Sequence, residues 1–259
     1  GDVRWLRSDF TTIFSGTIDD IDSRSAQTLN IKVRDKLQRL NTPLTETTLG
    51  GTSVNKNELI PLCFGECFNV SPLLSNPATL EYQVHGAAIE SIIEVRDNGV
   101  PVAHTDTIAT GKFTLSAQPF GQVTASVQGD KPVTWDTTVS KLVQRIVTGY
   151  GGVNKFVSGD LDSTQLATFD AANTQPVGIY LKERTNTLAV CNQLAASVGA
   201  QLVMSRLGKL QLLKVELPAS GTAFAIDTND IIENSLSISQ KLPVKAAFKV
   251  NYDRNYTVQ

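Results

Sequence analysis

The chain has 259 residues, 41% of them hydrophobic and 19% charged, with a formal net charge of -2. That is ample material for a core, arranged as one large domain or two to three small ones. Lys and Arg are scattered rather than run together, and no apolar run approaches the roughly 20 residues that span a bilayer, so neither sequence-specific nucleic-acid binding nor membrane insertion is expected.

The first segment, Val3 to Asn41, reads as strands followed by a short helix. I-F-S-G-T-I-D-D-I-D (Ile13 to Asp22) predicts a strand running into an acidic turn, with Gly16 as a bulge. In T-L-N-I-K-V-R-D, Leu29, Ile31 and Val33 share one face and Asn30, Lys32 and Arg34 the other. Asp35 is placed to cap a helix over K-L-Q-R-L, which Asn41 and Pro43 end. Thr42 to Asn57, rich in Thr, Gly, Ser and Asn, reads as an exposed loop.

Leu59 to Gly129 reads as an all-β block. D-N-G (Asp97 to Gly99) signals a hairpin, and K-F-T-L-S-A and Q-V-T-A-S-V are alternating strands joined by A-Q-P-F-G-Q. Asp130 to Val133 reads as a linker. Val139, Leu142, Val143, Ile146 and Val147 then recur as one helical face, capped by Asp136 or Thr137 and ended by Gly149, Gly151 and Gly152. A second helix is entered from Asp162, with Gln165 as its capping partner. V-G-I-Y-L-K is a strand. A third helix is capped by Thr185 or Asn186, turns Leu188, Cys191, Leu194, Ala195 and Val198 inward, and closes at Gly199. Q-L-V-M-S and K-L-Q-L-L-K-V form a hairpin around Arg206 to Gly208. A-F-A-I-D, S-L-S-I-S-Q and A-A-F-K-V-N-Y are three further strands. With no βαβ alternation, the class is mainly β with added short helices (α+β). Both ends read as cut from a longer chain.

Residues that could carry chemistry have plainer readings. Cys63, Cys67 and Cys191 are an odd, low count, read as buried apolar thiols; Cys63 and Cys67 would stand about 13 Å apart along a strand. Asp19, Asp20 and Asp22 read as a solvated turn. G-D-L-D-S (Gly159 to Ser163) lacks the glycine and closing glutamate of a calcium loop, so helix capping explains it better. His85 could be assembled on paper with Cys67 and Asp97, but no nucleophile signature supports a triad, and His104 is isolated. The glycines at G-Y-G-G follow a helix, the wrong end for a phosphate cradle. No catalytic residue, metal ligand or cofactor is therefore expected, and the chain is not read as an enzyme. Among the large aromatics Trp5, Tyr82, Trp135, Tyr252 and Tyr256, the polar run Y-D-R-N-Y makes Tyr252, Arg254 and Tyr256 the expected interface edge.

Pro61-Leu62, Phe64-Gly65, Phe68-Asn69-Val70-Ser71-Pro72, Tyr82-Gln83-Val84, Arg96-Asp97 and Gly99-Val100 follow one another in an order that resembles a segment of tail-tip, or baseplate hub, proteins of long-tailed bacteriophages, where a paired hairpin comes next. The run from Glu183 to Leu212 is similar to the helix–hairpin unit of such hubs, and Ile13 to Leu40 to their opening barrel. The resemblance implies tail-tube-like β-barrel hub domains with a β-rich insertion. Residues 1–45 would begin the barrel, 46–130 form the insertion, and 131–259 carry the helix–hairpin unit and a second barrel portion. It implies a structural virion protein at the tail tip, made in the host cytoplasm and most often trimeric. Its partners would be other tail proteins: the tail tube or distal tail ring, the tape measure and the central fibre. Such a ring joins the tube to the receptor-binding fibre and opens for DNA. The alternative is a tail-borne receptor- or carbohydrate-binding module using loops such as Thr42 to Asn57; a cell-wall hydrolase would need paired carboxylates or a metal.

Overall fold

The computed structural model describes residues 11–25, 28–214 and 254–257. The chain divides into two compact units, Gly1–Lys214 with Asn255–Gln259, and Val215–Arg254; nearly all described residues belong to the first.

Strands β1 (Thr17–Ser25) and β2 (Thr28–Arg34) form an antiparallel hairpin. A 3-10 turn over Lys36–Leu40 follows, and the Asp35 carboxylate accepts from Leu37 N at 3.1 Å, which satisfies a donor that the turn leaves open. Next come β3 (Leu62–Val70), β4 (Leu73–Asn76), β5 (Glu81–Gln83), β6 (Ile89–Asp97), β7 (Val100–Pro101), β8 (His104–Thr107), β9 (Lys112–Leu115) and β10 (Val123–Asp130). The remaining elements are helix α1 (Val139–Gly149), helix α2 (Ser163–Ala172), β11 (Gly178–Leu181), helix α3 (Thr187–Ser197), β12 (Ala200–Met204) and β13 (Leu210–Lys214). The described chain is mainly β with three short helices, an α+β arrangement; no closed barrel occurs among the described residues.

A five-stranded sheet of order β11-β3-β10-β6-β7 and a four-stranded sheet of order β4-β5-β9-β8 share a core that includes Val84, Val95, Phe113 and Val127. Tyr82 stacks on Phe113 with centroids 5.4 Å apart. A second core lies under the helices. The α1 face of Val139, Leu142, Val143, Ile146 and Val147 is wholly buried there, with Leu166 and Phe169 of α2, Cys191 and Leu194 of α3, and Leu202, Leu210 and Leu212 of the β12–β13 hairpin.

Strand β3 belongs to both cores. Leu62 and Phe64 enter the helical core, while Cys63 and Cys67 enter the sheet core; adjacent strand residues point to opposite faces. β11 repeats the pattern with Ile179 and Tyr180. β3 also changes partners at Gly65: residues up to Gly65 pair with β11, and those from Glu66 onward with β10. Gly65 has φ +66°, and a Cβ there would stand 1.9 Å from the Val177 carbonyl oxygen, so only glycine fits this switch.

Several expectations are corrected. Asp19, Asp20 and Asp22 lie inside β1, not in a turn, and the bulges fall beyond Ile18 and Asp22 rather than at Gly16. β9 and β10 are not a hairpin: A-Q-P-F-G-Q carries the chain from one sheet to the other. Asp130 closes β10 and is buried instead of lying in a linker. Thr138 precedes α1 as its cap position. Asp162 does cap α2 through Gln165 N, but the Gln165 side chain turns to the Leu212 backbone. Val190, absent from the predicted inward face, is buried on α3. The last three predicted strands lie outside the described residues.

Candidate functional site

Three features stand apart from ordinary packing. The first is the β1–β2 hairpin. Ile18 faces Val33 across the ladder and Ile21 faces Ile31. These four and Leu29 are 46–62% exposed. The opposite face carries ion pairs: Asp20 with Lys32 at 2.8 Å and Asp19 with Arg34 at 2.9 Å. The hairpin is therefore amphipathic with its apolar face exposed, and among the described residues neither of its strands pairs with a third. A lone hairpin is marginally stable in water, and exposed apolar patches mark contact surfaces.

The second feature is a buried polar cluster where the sheet meets α1. His85 is fully buried, and its Nδ1 lies 3.1 Å from the Cys63 backbone N–H, which donates to it. The imidazole proton is thereby assigned to Nε2, which donates to Asp130 Oδ1 at 3.0 Å. Arg145 of α1 places Nε 2.5 Å from Asp130 Oδ2 and a terminal nitrogen 3.0 Å from Oδ1, and the Tyr150 hydroxyl donates to Oδ1 at 3.1 Å. Phe64 packs edge-on against both His85 and Tyr150. Burial pushes the Asp130 carboxyl up, but the hydrogen bonds from His85 and Arg145 outweigh it and bring it down to about 2. Burial, then the Asp130 charge, raises the Tyr150 hydroxyl.

Both nitrogens of the buried imidazole bond within the protein, Nδ1 to the Cys63 N–H and Nε2 to Asp130, so His85 ties strand β3 to the end of β10. The paper triad dissolves. The Asp97 carboxylate accepts from Phe120 N and Gly121 N at 2.7 and 2.9 Å, and the Cys67 thiol donates to the Phe64 carbonyl at 3.7 Å. His85 instead found Asp130. Sequence reasoning passed over Asp130, Arg145 and Tyr150; the available signal was a lone acid closing the apolar strand V-T-A-S-V-Q-G-D. All three cysteines are free and buried, and Cys191 is pushed by burial up to about 12. His104 lies 3.3 Å from Asp106 on β8.

The third feature is a cleft of about 750 Å³ between the Thr42–Thr47 segment, Gly86–Ala87 and Gly149–Asn154. Tyr150 links it to the polar cluster. Beside Gly151 the hydroxyls of Thr42 and Thr187 are buried with no protein partner among the described residues. Both lie within 3.6 Å of where a Cβ on Gly151 would stand.

Of the expected interface residues, Tyr252 lies outside the described set and Arg254 is exposed. Tyr256 is half-buried against the sheet core, with its ring edge-on to Tyr180 and its hydroxyl accepting from Tyr180 N at 2.8 Å. Comparison with family models, curated proteins and solved structures gave no match.

Proposed function

We propose that this chain is part of the tail-tip hub of a long-tailed bacteriophage, a structural component of the virion rather than an enzyme. The observation that carries the proposal is the amphipathic β1–β2 hairpin. It exposes an apolar face and, among the described residues, pairs with no third strand, as an element would that is completed by a neighbouring subunit. In this reading, hairpins from adjacent copies join into tail-tube-like barrel walls, most often in a trimer. The ring connects the tail tube to the receptor-binding fibre and opens for DNA. The near-neutral charge suits a bore through which DNA must slide. The motif order through Phe68-Asn69-Val70-Ser71-Pro72 and Tyr82-Gln83-Val84 supports the same assignment.

Negative-stain images of virions labelled with an antibody to this chain test the location. Label at the tail tip is expected; label confined to capsid or tail shaft refutes it. A mass measurement of the assembled protein tests the oligomer.

A further inference from the structure

We propose that Cys63 and Cys67 are a redox pair, two thiols that the fold holds in place to close into a disulfide when a low-molecular-weight disulfide accepts their electrons. The inference stands on strand β3 alone and does not require the hub assignment.

The bend at Gly65 brings the two residues together. Along a regular strand, positions four apart would stand about 13 Å from each other. Strand β10 measures how far β3 departs from that. Val127 lies opposite Cys67 and Gln128 opposite Glu66. Gly129 already abuts Cys63: a Cβ on Gly129 would stand 2.9 Å from the Cys63 Sγ, and closer still to its carbonyl oxygen. Two steps of β10 thus cover four of β3, because Phe64 and Gly65 are taken up in the bend, where Gly65 has φ +66°. Two strand steps are about 6.4–6.8 Å, within the roughly 4.4–6.8 Å between Cα atoms that a disulfide bridges.

The faces agree with the distance. Both cysteines enter the sheet core with Val127, while Phe64 between them enters the helical core. The Cys63 thiol reaches Cys67 with a hydrogen bond, and the Cys67 thiol donates onward to the Phe64 carbonyl at 3.7 Å. Tyr180, opposite Cys63 on β11, lies near both sulfurs: burial first, then Cys63 and Cys67, raise its hydroxyl. Cys191 belongs to the helical core, so it does not compete for either partner.

The exchange runs in two steps. One cysteine thiolate attacks a sulfur of glutathione disulfide, breaks its S–S bond and releases one glutathione thiolate. The second cysteine then attacks the mixed disulfide and releases the other. Two electrons pass from the pair to glutathione, and the two cysteine protons end on the released thiolates. Both cysteines are buried, so exchange waits for local opening of β3. Burial sets the rate, while the held proximity sets the equilibrium. The closed bond would fasten the bend at which β3 passes from β11 to β10.

The full chain, native and in parallel in urea, is equilibrated with mixtures of oxidised and reduced glutathione, quenched in acid, alkylated and mapped by mass spectrometry. The native chain should carry a Cys63–Cys67 disulfide with Cys191 alkylated, and dithiothreitol should reverse it with the far-UV circular dichroism unchanged. The constant for closing should exceed that in urea by about tenfold or more. Cys63→Ser and Cys67→Ser should each abolish the bond, and Cys191→Ser should leave it unaltered. Refolding from urea in the same mixtures must reach the same equilibrium, so slow opening cannot mask the result. Three results overturn the proposal: a closing constant no greater than in urea, glutathione adducts without an internal bond, or a disulfide that engages Cys191.

Discussion

Replacing Asp130 by Asn removes a charge while keeping the shape, and the structure sets the size of the effect. Asp130 is 3% exposed and receives hydrogen bonds from His85, Arg145 and Tyr150. A carboxylate held at about 2 instead of near 3.8 is stabilised in its charged form by about 2 kcal/mol, since each tenfold change in proton affinity is worth about 1.4 kcal/mol. The Asn amide also turns a donor toward Arg145, where a second acceptor stood. Asp130→Asn should therefore cost about 2–4 kcal/mol near neutral pH, overlapping the roughly 3–5 kcal/mol lost when one partner of a buried ion pair is removed. The pH dependence has a definite sign. Because the folded value is depressed, this stabilisation is complete above the unfolded value near 3.8 and is lost as pH falls toward about 2. Other carboxylates titrate in the same window, so the informative quantity is the difference between wild type and variant. Urea unfolding followed by far-UV circular dichroism, repeated from neutral pH down to about pH 2, should show that difference shrinking by about 2 kcal/mol. A difference that stays constant with pH, or one below about 0.5 kcal/mol at neutral pH, would refute the reasoning.

Gly65→Ala should lower stability by more than about 2 kcal/mol or abolish soluble expression, read by thermal unfolding, because both φ and the Val177 carbonyl exclude a side chain. Asp162→Ala removes the α2 cap and its bond to Gln211, for a loss of about 1 kcal/mol in the same measurement. Ile31→Lys places a charge on the exposed apolar face of the hairpin; on the hub reading it should weaken self-association about tenfold or more in sedimentation while leaving the unfolding temperature of the dissociated chain unchanged. Cys63, Cys67 and Cys191 should resist a thiol reagent in the native protein at mildly alkaline pH and react fully in denaturant, since all are buried and the Cys63 and Cys191 thiols are raised.

Local rules carried much of the fold. The α1 stripe of Val139, Leu142, Val143, Ile146 and Val147, the Asp35 and Asp162 caps, the D-N-G turn and the β12–β13 hairpin all depend on neighbours within a few residues. Periodicity and capping chemistry act over that range. The same rules misplaced Asp19, Asp20 and Asp22, because an acidic run looks like a turn until Lys32 and Arg34 stand opposite it.

The candidate sites were less legible, since each is built across long separations. His85 and Asp130 are 45 residues apart, and Tyr150 lies 65 from His85. The cleft joins the Thr42–Thr47 segment to Gly149–Asn154. Nothing in A-Q-P-F-G-Q says that the chain leaves one sheet for the other, because a tight turn and a crossover use the same residues.

By itself, then, the amino-acid sequence determined the class, mainly β with short helices, and the local elements whose hydrogen bonds close over a few residues. It also determined the alternation of Leu29, Ile31 and Val33. Only the tertiary structure decided that this apolar face stays exposed, that β3 serves two cores through Gly65, and that Asp130 is the acceptor joining sheet and helix. The physical reason is that side-chain period specifies which face of an element is apolar, while the partner of that face is settled by packing among segments far apart in the chain.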